Sequence, residues 1–229
     1  MGEFIQLSTS RQQCIGAYIA QAQGAPRGGI VVVQEIFGVN AWVRGVVERF
    51  AAAGYTAIAP AFFDHVETGV ELGYGADGFA KGRMLVGEIA FERAMEDVAS
   101  AAQAIVSAGK IGVVGYCWGG TIALLAATRL GLPAVSYYGA RNVQVLDEAL
   151  GAPVQFHFGA RDESIPPAAV QRHRDHYAAA IAAGEVEIYT YPDAGHAFDR
   201  DVDTGHFDAA SSALARERTL AFFAKHLAA

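Results

Sequence analysis

Short apolar runs bounded by glycine alternate along the chain with stretches whose apolar positions recur every three or four residues. "GGIVVVQEIFG" (28–38) is a β-branched run of the kind found in strands buried on both faces. "AWVRGVVERFAAAG" (41–54) then sets Val43, Val46, Val47 and Phe50 at helical spacing, with Gly54 as a C-terminal cap. "YTAIAPAFF" (55–63) reads as the next strand. "AFERAMEDVASAAQAIVSAG" (90–109) reads as a helix with Phe91, Ala94, Met95, Val98 and Ile105 on one face. "KIGVVGY" (110–116), "AVSYYGA" (134–140) and "VQFHFGA" (154–160) are further strands, with a helix over 119–130 after the first. "EVEIYTYP" (185–192) is the last strand, and an amphipathic helix is expected near 207–227.

Strands alternating with helices predict an α/β chain with a mainly parallel sheet and helices on both faces, because parallel connections need crossovers. The opening strands near 4–8 and 14–21 have no helix between them and are expected to form an antiparallel edge. Residues 64–89, rich in glycine and charge, are expected as a long surface loop near the site.

A length of 229 residues, 52% hydrophobic and 18% charged, fits one ordered domain over residues 1–229. The net charge is −7 and Lys and Arg form no run, which gives no support to nucleic acid or an anionic membrane as partner. A small molecule is expected instead, bound by a monomer or a small homo-oligomer. "MGEFIQLSTS" lacks the basic start and apolar centre of a signal peptide, so a cytoplasmic setting is expected. The two cysteines, Cys14 and Cys117, are then expected as free thiols, Cys14 in a structural role.

In "GYCWG" (115–119) Cys117 stands between glycines at the meeting of a strand and a helix. A sharp strand-to-helix turn holds its central residue in a strained conformation, lifts the side chain above the sheet and crowds out neighbouring side chains. The helix behind it turns unpaired N–H groups, Trp118 among them, toward negative charge near the sulfur. The plainer reading is a buried core cysteine. Asp162 follows the strand 154–160, and His196 follows the strand 185–192. Nucleophile, acid and histidine in this order, each after a different strand, suit acyl transfer. Singly, Asp162 could be a turn residue before Pro166 and His196 an ordinary loop histidine. His173 and His176 in "QRHRDHY" are expected on a solvated face rather than as metal ligands.

"QEIFG", "GYCWGG", "GARDESIP" and "GHAFDR" resemble the motifs of the dienelactone hydrolase family, and the similarity extends over essentially the whole chain. The resemblance implies an α/β-hydrolase fold without a separate lid domain and a triad of Cys117, His196 and Asp162. It also implies that Glu35 contacts the thiol and that the Ile36 and Trp118 backbone N–H groups form an oxyanion hole. A carboxylate beside a thiol disfavours the thiolate, so Glu35 would keep Cys117 protonated until substrate arrives. Arg200, and less directly Arg83, correspond to arginines that hold a substrate carboxylate, with a surface pair to Asp199 or Asp201 as the alternative for Arg200. Tyr137 and Trp118 are expected among the pocket aromatics. The expected activity is cysteine-dependent hydrolysis of a carboxylic ester, most simply a lactone, without metal or organic cofactor. The alternatives are a thioesterase or short-chain esterase with the same triad, and a non-enzymatic sensor using Cys117 as a redox or ligand-capturing thiol.

Overall fold

The computed structural model describes residues 2–9 and 13–228. The chain divides into two compact units, one running to Val113 and including Leu227 and Ala228, the other spanning Val114–His226.

In the first unit, β1 (Glu3–Ser8) and β2 (Cys14–Ala20) pair antiparallel, Glu3 opposite Ile19 and Ser8 opposite Cys14. β2 runs antiparallel to β4 (Thr56–Pro60), which runs parallel to β3 (Gly29–Val33). Every residue of β3 and β4 is buried, as their unbroken apolar runs require. Between them α1 (Ala41–Ala52) starts at Asn40, whose side-chain oxygen accepts the Val43 N–H at 3.2 Å. Val43, Val46, Val47 and Phe50 face inward as expected, joined by Trp42.

The long loop expected over 64–89 is corrected. After a 3₁₀ turn at Phe62–His65, α2 occupies Ala76–Glu88 with Leu85 and Val86 buried. Glycine in this helix marks a close approach: a Cβ at Gly82 would lie 2.0 Å from the Ile36 carbonyl oxygen. α3 (Phe91–Ala104) buries Ala94, Met95 and Val98 and gives way to a 3₁₀ turn at Val106–Ala108. Asp97 is buried on α3 as well, with both carboxylate oxygens 2.9 Å from His65 Nε2. Burial raises the Asp97 carboxyl to about 6 against the opposing pull of His65.

The second unit begins inside β5 (Ile111–Tyr116), followed by α4 (Trp118–Arg129) and β6 (Ala134–Tyr137). β7 (Val154–Gly159) and β8 (Val186–Tyr191) flank α5 (Pro167–His176) and α6 (Ala178–Ala182), and α7 (Ala209–His226) follows. β6 with β7 and β7 with β8 pair in parallel. The strand order along the sheet is β1-β2-β4-β3-β5-β6-β7-β8. α4 is buried from Trp118 to Ala127, which accounts for its apolar composition. The expected solvated histidine face is half corrected. His176 is exposed, whereas His173 is 1% exposed, packed edge-on to Phe156 and Phe158, with Nδ1 2.7 Å from the Ala169 carbonyl oxygen. No helix among the described residues is long and apolar enough to cross a membrane.

Candidate active site

β5 ends at Tyr116 and α4 begins at Trp118, so a single residue makes the turn. Cys117 does so with φ 55° and ψ −113°, a left-handed conformation costly for any residue with a Cβ. The Cys117 N–H donates to the Tyr137 carbonyl at 3.0 Å, and its carbonyl accepts the Gly120 N–H at 3.0 Å. The turn folds so tightly that a Cβ at Gly115 would stand 1.8 Å from the Gly119 carbonyl oxygen. Glycine two residues before Cys117 is thus a steric requirement.

Asp162 follows β7 and is almost fully buried. One carboxylate oxygen, Oδ1, accepts the backbone N–H groups of Ser164 at 2.8 Å and Ile165 at 3.2 Å. Oδ2 is left facing His196 Nδ1 at 2.7 Å. The backbone bonds to Oδ1 thus fix the direction in which Oδ2 faces the imidazole. His196 follows β8, and its Nε2 lies 3.1 Å from Cys117 Sγ. An ionised carboxylate only accepts, so Nδ1 carries the hydrogen and the neutral ring offers the Nε2 lone pair to the thiol. Burial opposes protonation of the ring, but once the sulfur carries negative charge, Cys117 and the Asp162 carboxylate outweigh it and push His196 up to about 10. A ring so placed is a strong acceptor for a thiol proton.

Among the described residues the non-glycine positions with positive φ are Cys117, Tyr138 (φ 38°) and Ala197 (φ 60°). One carries the thiol, one follows His196, and the Tyr138 ring centroid lies 5.1 Å from that of His196. Among the described residues these strained non-glycine positions gather around one imidazole. Tyr138 is the neighbour that sequence reasoning missed. Tyr137, expected as a pocket aromatic, is fully enclosed, its hydroxyl 2.7 Å from Thr219 Oγ1 and its ring 4.5 Å from that of His157. Tyr138 is fully enclosed as well, its ring centroid 6.0 Å from that of Tyr137, and both rings pack against Phe198.

Trp118 is buried at the first position of α4. Arg200 is 6% exposed and donates from Nη2 to Asp203 Oδ2 at 2.7 Å, a partner other than the Asp199 or Asp201 expected as alternatives. Glu35 and Ile36 lie in the first unit just beyond β3, both buried. Arg83 is on the exposed side of α2, its guanidinium carbon 5.9 Å from the Phe79 ring centroid. Cys14, expected to be structural, is an exposed free thiol at the first residue of β2. Among the described residues no group of three or more His, Cys, Asp or Glu side chains is placed to hold a metal ion.

The profile of the dienelactone hydrolase family matches residues 15–227. Carboxymethylenebutenolidase of Pseudomonas putida is 30% identical over 230 residues, covering 97% of this chain and 96% of its own. A crystal structure from Klebsiella pneumoniae, described under the name dienelactone hydrolase, matches with a TM-score of 0.83 at 31% identity, over 98% of this chain and 99% of that one. A dienelactone hydrolase-like promiscuous phosphotriesterase from metagenomic libraries shares the fold at 20% identity, TM-score 0.75, over 98% of both chains. With a family match over almost its whole length and relatives alike from end to end, the chain belongs to the dienelactone hydrolase family, a group of α/β hydrolases acting on ester and lactone bonds.

Proposed function

We propose that the chain opens a lactone through Cys117, His196 and Asp162. The observation that carries the proposal is the imidazole of His196, held between the Asp162 carboxylate at 2.7 Å and the Cys117 sulfur at 3.1 Å. His196 Nε2 takes the Sγ proton, and the sulfur attacks the lactone carbonyl carbon. The ring C–O bond breaks, its oxygen receives the proton from His196, and a thioester remains. Water, giving a proton to His196, attacks the thioester; the carbon–sulfur bond breaks, the acid leaves and the thiol is restored. The Trp118 N–H at the start of α4 suits the developing oxyanion, and the family resemblance adds the Ile36 N–H. The same resemblance gives Glu35 its role of restraining the thiol, so Glu35→Gln is expected to speed alkylation of Cys117 by iodoacetamide. An unchanged rate would remove that role.

One observation favours a second reading, a neutral short-chain ester or thioester as substrate. The Arg200 guanidinium already holds the Asp203 carboxylate, which competes with any carboxylate a lactone would bring. A panel of one carboxylated lactone, one neutral lactone and one aryl acetate decides between them. Cys117→Ala is expected to lower hydrolysis of all three by roughly a thousandfold or more. Arg200→Ala is expected to lower kcat/KM roughly tenfold to a hundredfold for the carboxylated lactone alone. Retention of more than about a tenth of the activity by Cys117→Ala would overturn the triad. Equal losses on all substrates in Arg200→Ala would favour the second reading.

A further inference from the structure

His196 sits on an irregular stretch between β8 and α7, yet its imidazole meets Cys117 Sγ at hydrogen-bond distance, 3.1 Å. The next residue, Ala197, has φ 60°, a conformation that persists only where the surroundings hold it. Asp199, two residues further on, is fully buried. Its Oδ1 accepts the Ser212 hydroxyl at 2.6 Å and the Arg216 Nε–H at 2.7 Å, and its carbonyl accepts from Arg216 Nη2 at 3.0 Å. Ser212 and Arg216 are four residues apart and so occupy one face of α7, one turn from each other. Arg216 Nη2 also reaches Asp201 Oδ2 at 3.1 Å. The backbone repeats the attachment, with the Asp208 N–H donating to the Phe198 carbonyl at 3.0 Å.

We infer that Asp199 and Arg216 form a clamp on α7 that sets the reach and angle of the His196 ring on the Cys117 sulfur, an inference resting on the triad reading above. An anchor needing only strength would be served as well by an apolar contact, because a buried charge pair loses hydration for what it gains in attraction. A guanidinium that grips a side-chain oxygen and the carbonyl of the same residue supplies direction. That direction is passed to His196 through two intervening residues, one of them the strained Ala197. Asp199 and Arg216 are thus positioning residues, while Cys117 and His196 touch the reacting atoms.

The test uses the full chain carrying Asp199→Ala, Arg216→Lys or Ser212→Ala, with Cys117→Ala alongside. Lactone turnover, melting temperature and the His196 titration by nuclear magnetic resonance are measured for each. Asp199→Ala is expected to lower kcat roughly tenfold to a hundredfold with KM within about twofold, because the clamp orients a reacting group without contacting substrate. Arg216→Lys keeps the charge but loses the two-point grip, and Ser212→Ala loses one bond; smaller losses of kcat are expected in that order. In each, the His196 titration is expected to move. Wild-type kcat and an unmoved His196 titration in Arg216→Lys and Ser212→Ala would overturn the clamp even with a lowered melting temperature, and those two variants decide if Asp199→Ala fails to fold. An active Cys117→Ala would instead refute the triad, while the resonance data would still report whether α7 holds the imidazole.

Discussion

His157 and His196 are the same side chain in two settings of the second unit, and their proton affinities lie on opposite sides of the ordinary value. His157, on β7, is fully enclosed, with Nδ1 2.8 Å from the Tyr191 hydroxyl and Nε2 2.8 Å from Gln155 Oε1 and 3.2 Å from Thr219 Oγ1. Those partners are neutral; burial pulls His157 down to about 3, and nearby Arg218 adds to the effect. His173 shows the same sign, at about 4, since burial outweighs the Ala169 carbonyl. His196 is buried too, but it faces a sulfur and a carboxylate and is pushed up to about 10. Burial alone makes a histidine a neutral spacer. Burial beside groups able to carry negative charge makes it a proton carrier.

The largest effect that would break this contrast is expected from Asp162→Asn, which removes the carboxylate partner. A fall in kcat of roughly 10²–10⁴-fold is expected, together with a lower His196 pKa by nuclear magnetic resonance. A titration that stays near its wild-type position would mean that the carboxylate does not set the proton affinity.

A smaller effect separates the two kinds of histidine by the sign of their pH dependence. His157 and His173 have folded values of about 3 and 4, below the ordinary 6.5, so the folded state binds fewer protons in acid than the unfolded chain. The stability they contribute is complete above pH 6.5 and is lost as pH falls toward those values, each at up to about 1.4 kcal/mol per pH unit. Asp97, raised from 3.8 to about 6, offsets one of them between those two values. Beside a negatively charged sulfur His196 has the opposite sign: its contribution is complete below pH 6.5 and is lost as pH rises toward about 10. Urea midpoints across pH are expected to fall more gently in acid for His173→Phe than for the wild type, and an unchanged slope would contradict a buried neutral His173.

The smallest effect is expected from Tyr191→Phe, which removes one neutral partner of His157. A loss of about 1–2 kcal/mol of stability is expected, with kcat per folded molecule unchanged. A drop in kcat comparable to that of Asp162→Asn would mean that the enclosed histidine network also serves the reaction.

The grouping of Cys117, His196 and Asp162 was legible in the sequence because each stands where a strand ends, and strand ends are marked by glycine, proline and the close of an apolar run. "GYCWG" marked the turn at Cys117, since its tightness demands Gly115 on steric grounds, and Asp162 and His196 downstream gave the cysteine its partners. The helix α2 was hidden because Gly78, Gly82 and Gly87 within it lower helix propensity, and nothing local shows that Gly82 answers to the distant Ile36 carbonyl. His173 was misread from its charged neighbours, although Val170, His173 and Tyr177 share the spacing of one buried helix face. Arg200 illustrates a deeper limit. Asp199 and Asp201 flank it in sequence and both pair with Arg216 on α7, while a turn delivers Asp203 to Arg200. Neighbours along the chain give no account of partners chosen by a fold.

The left-handed Ala197 has a practical consequence for anyone selecting heat-resistant variants of this chain. Glycine at that position would relieve backbone strain of roughly 1 kcal/mol, so a screen scored on melting temperature alone is expected to favour it. The same replacement would loosen the hinge immediately beside His196. Thermal selection and selection for turnover would therefore pull position 197 in opposite directions, and an engineer would do better to leave alanine there and seek stability elsewhere.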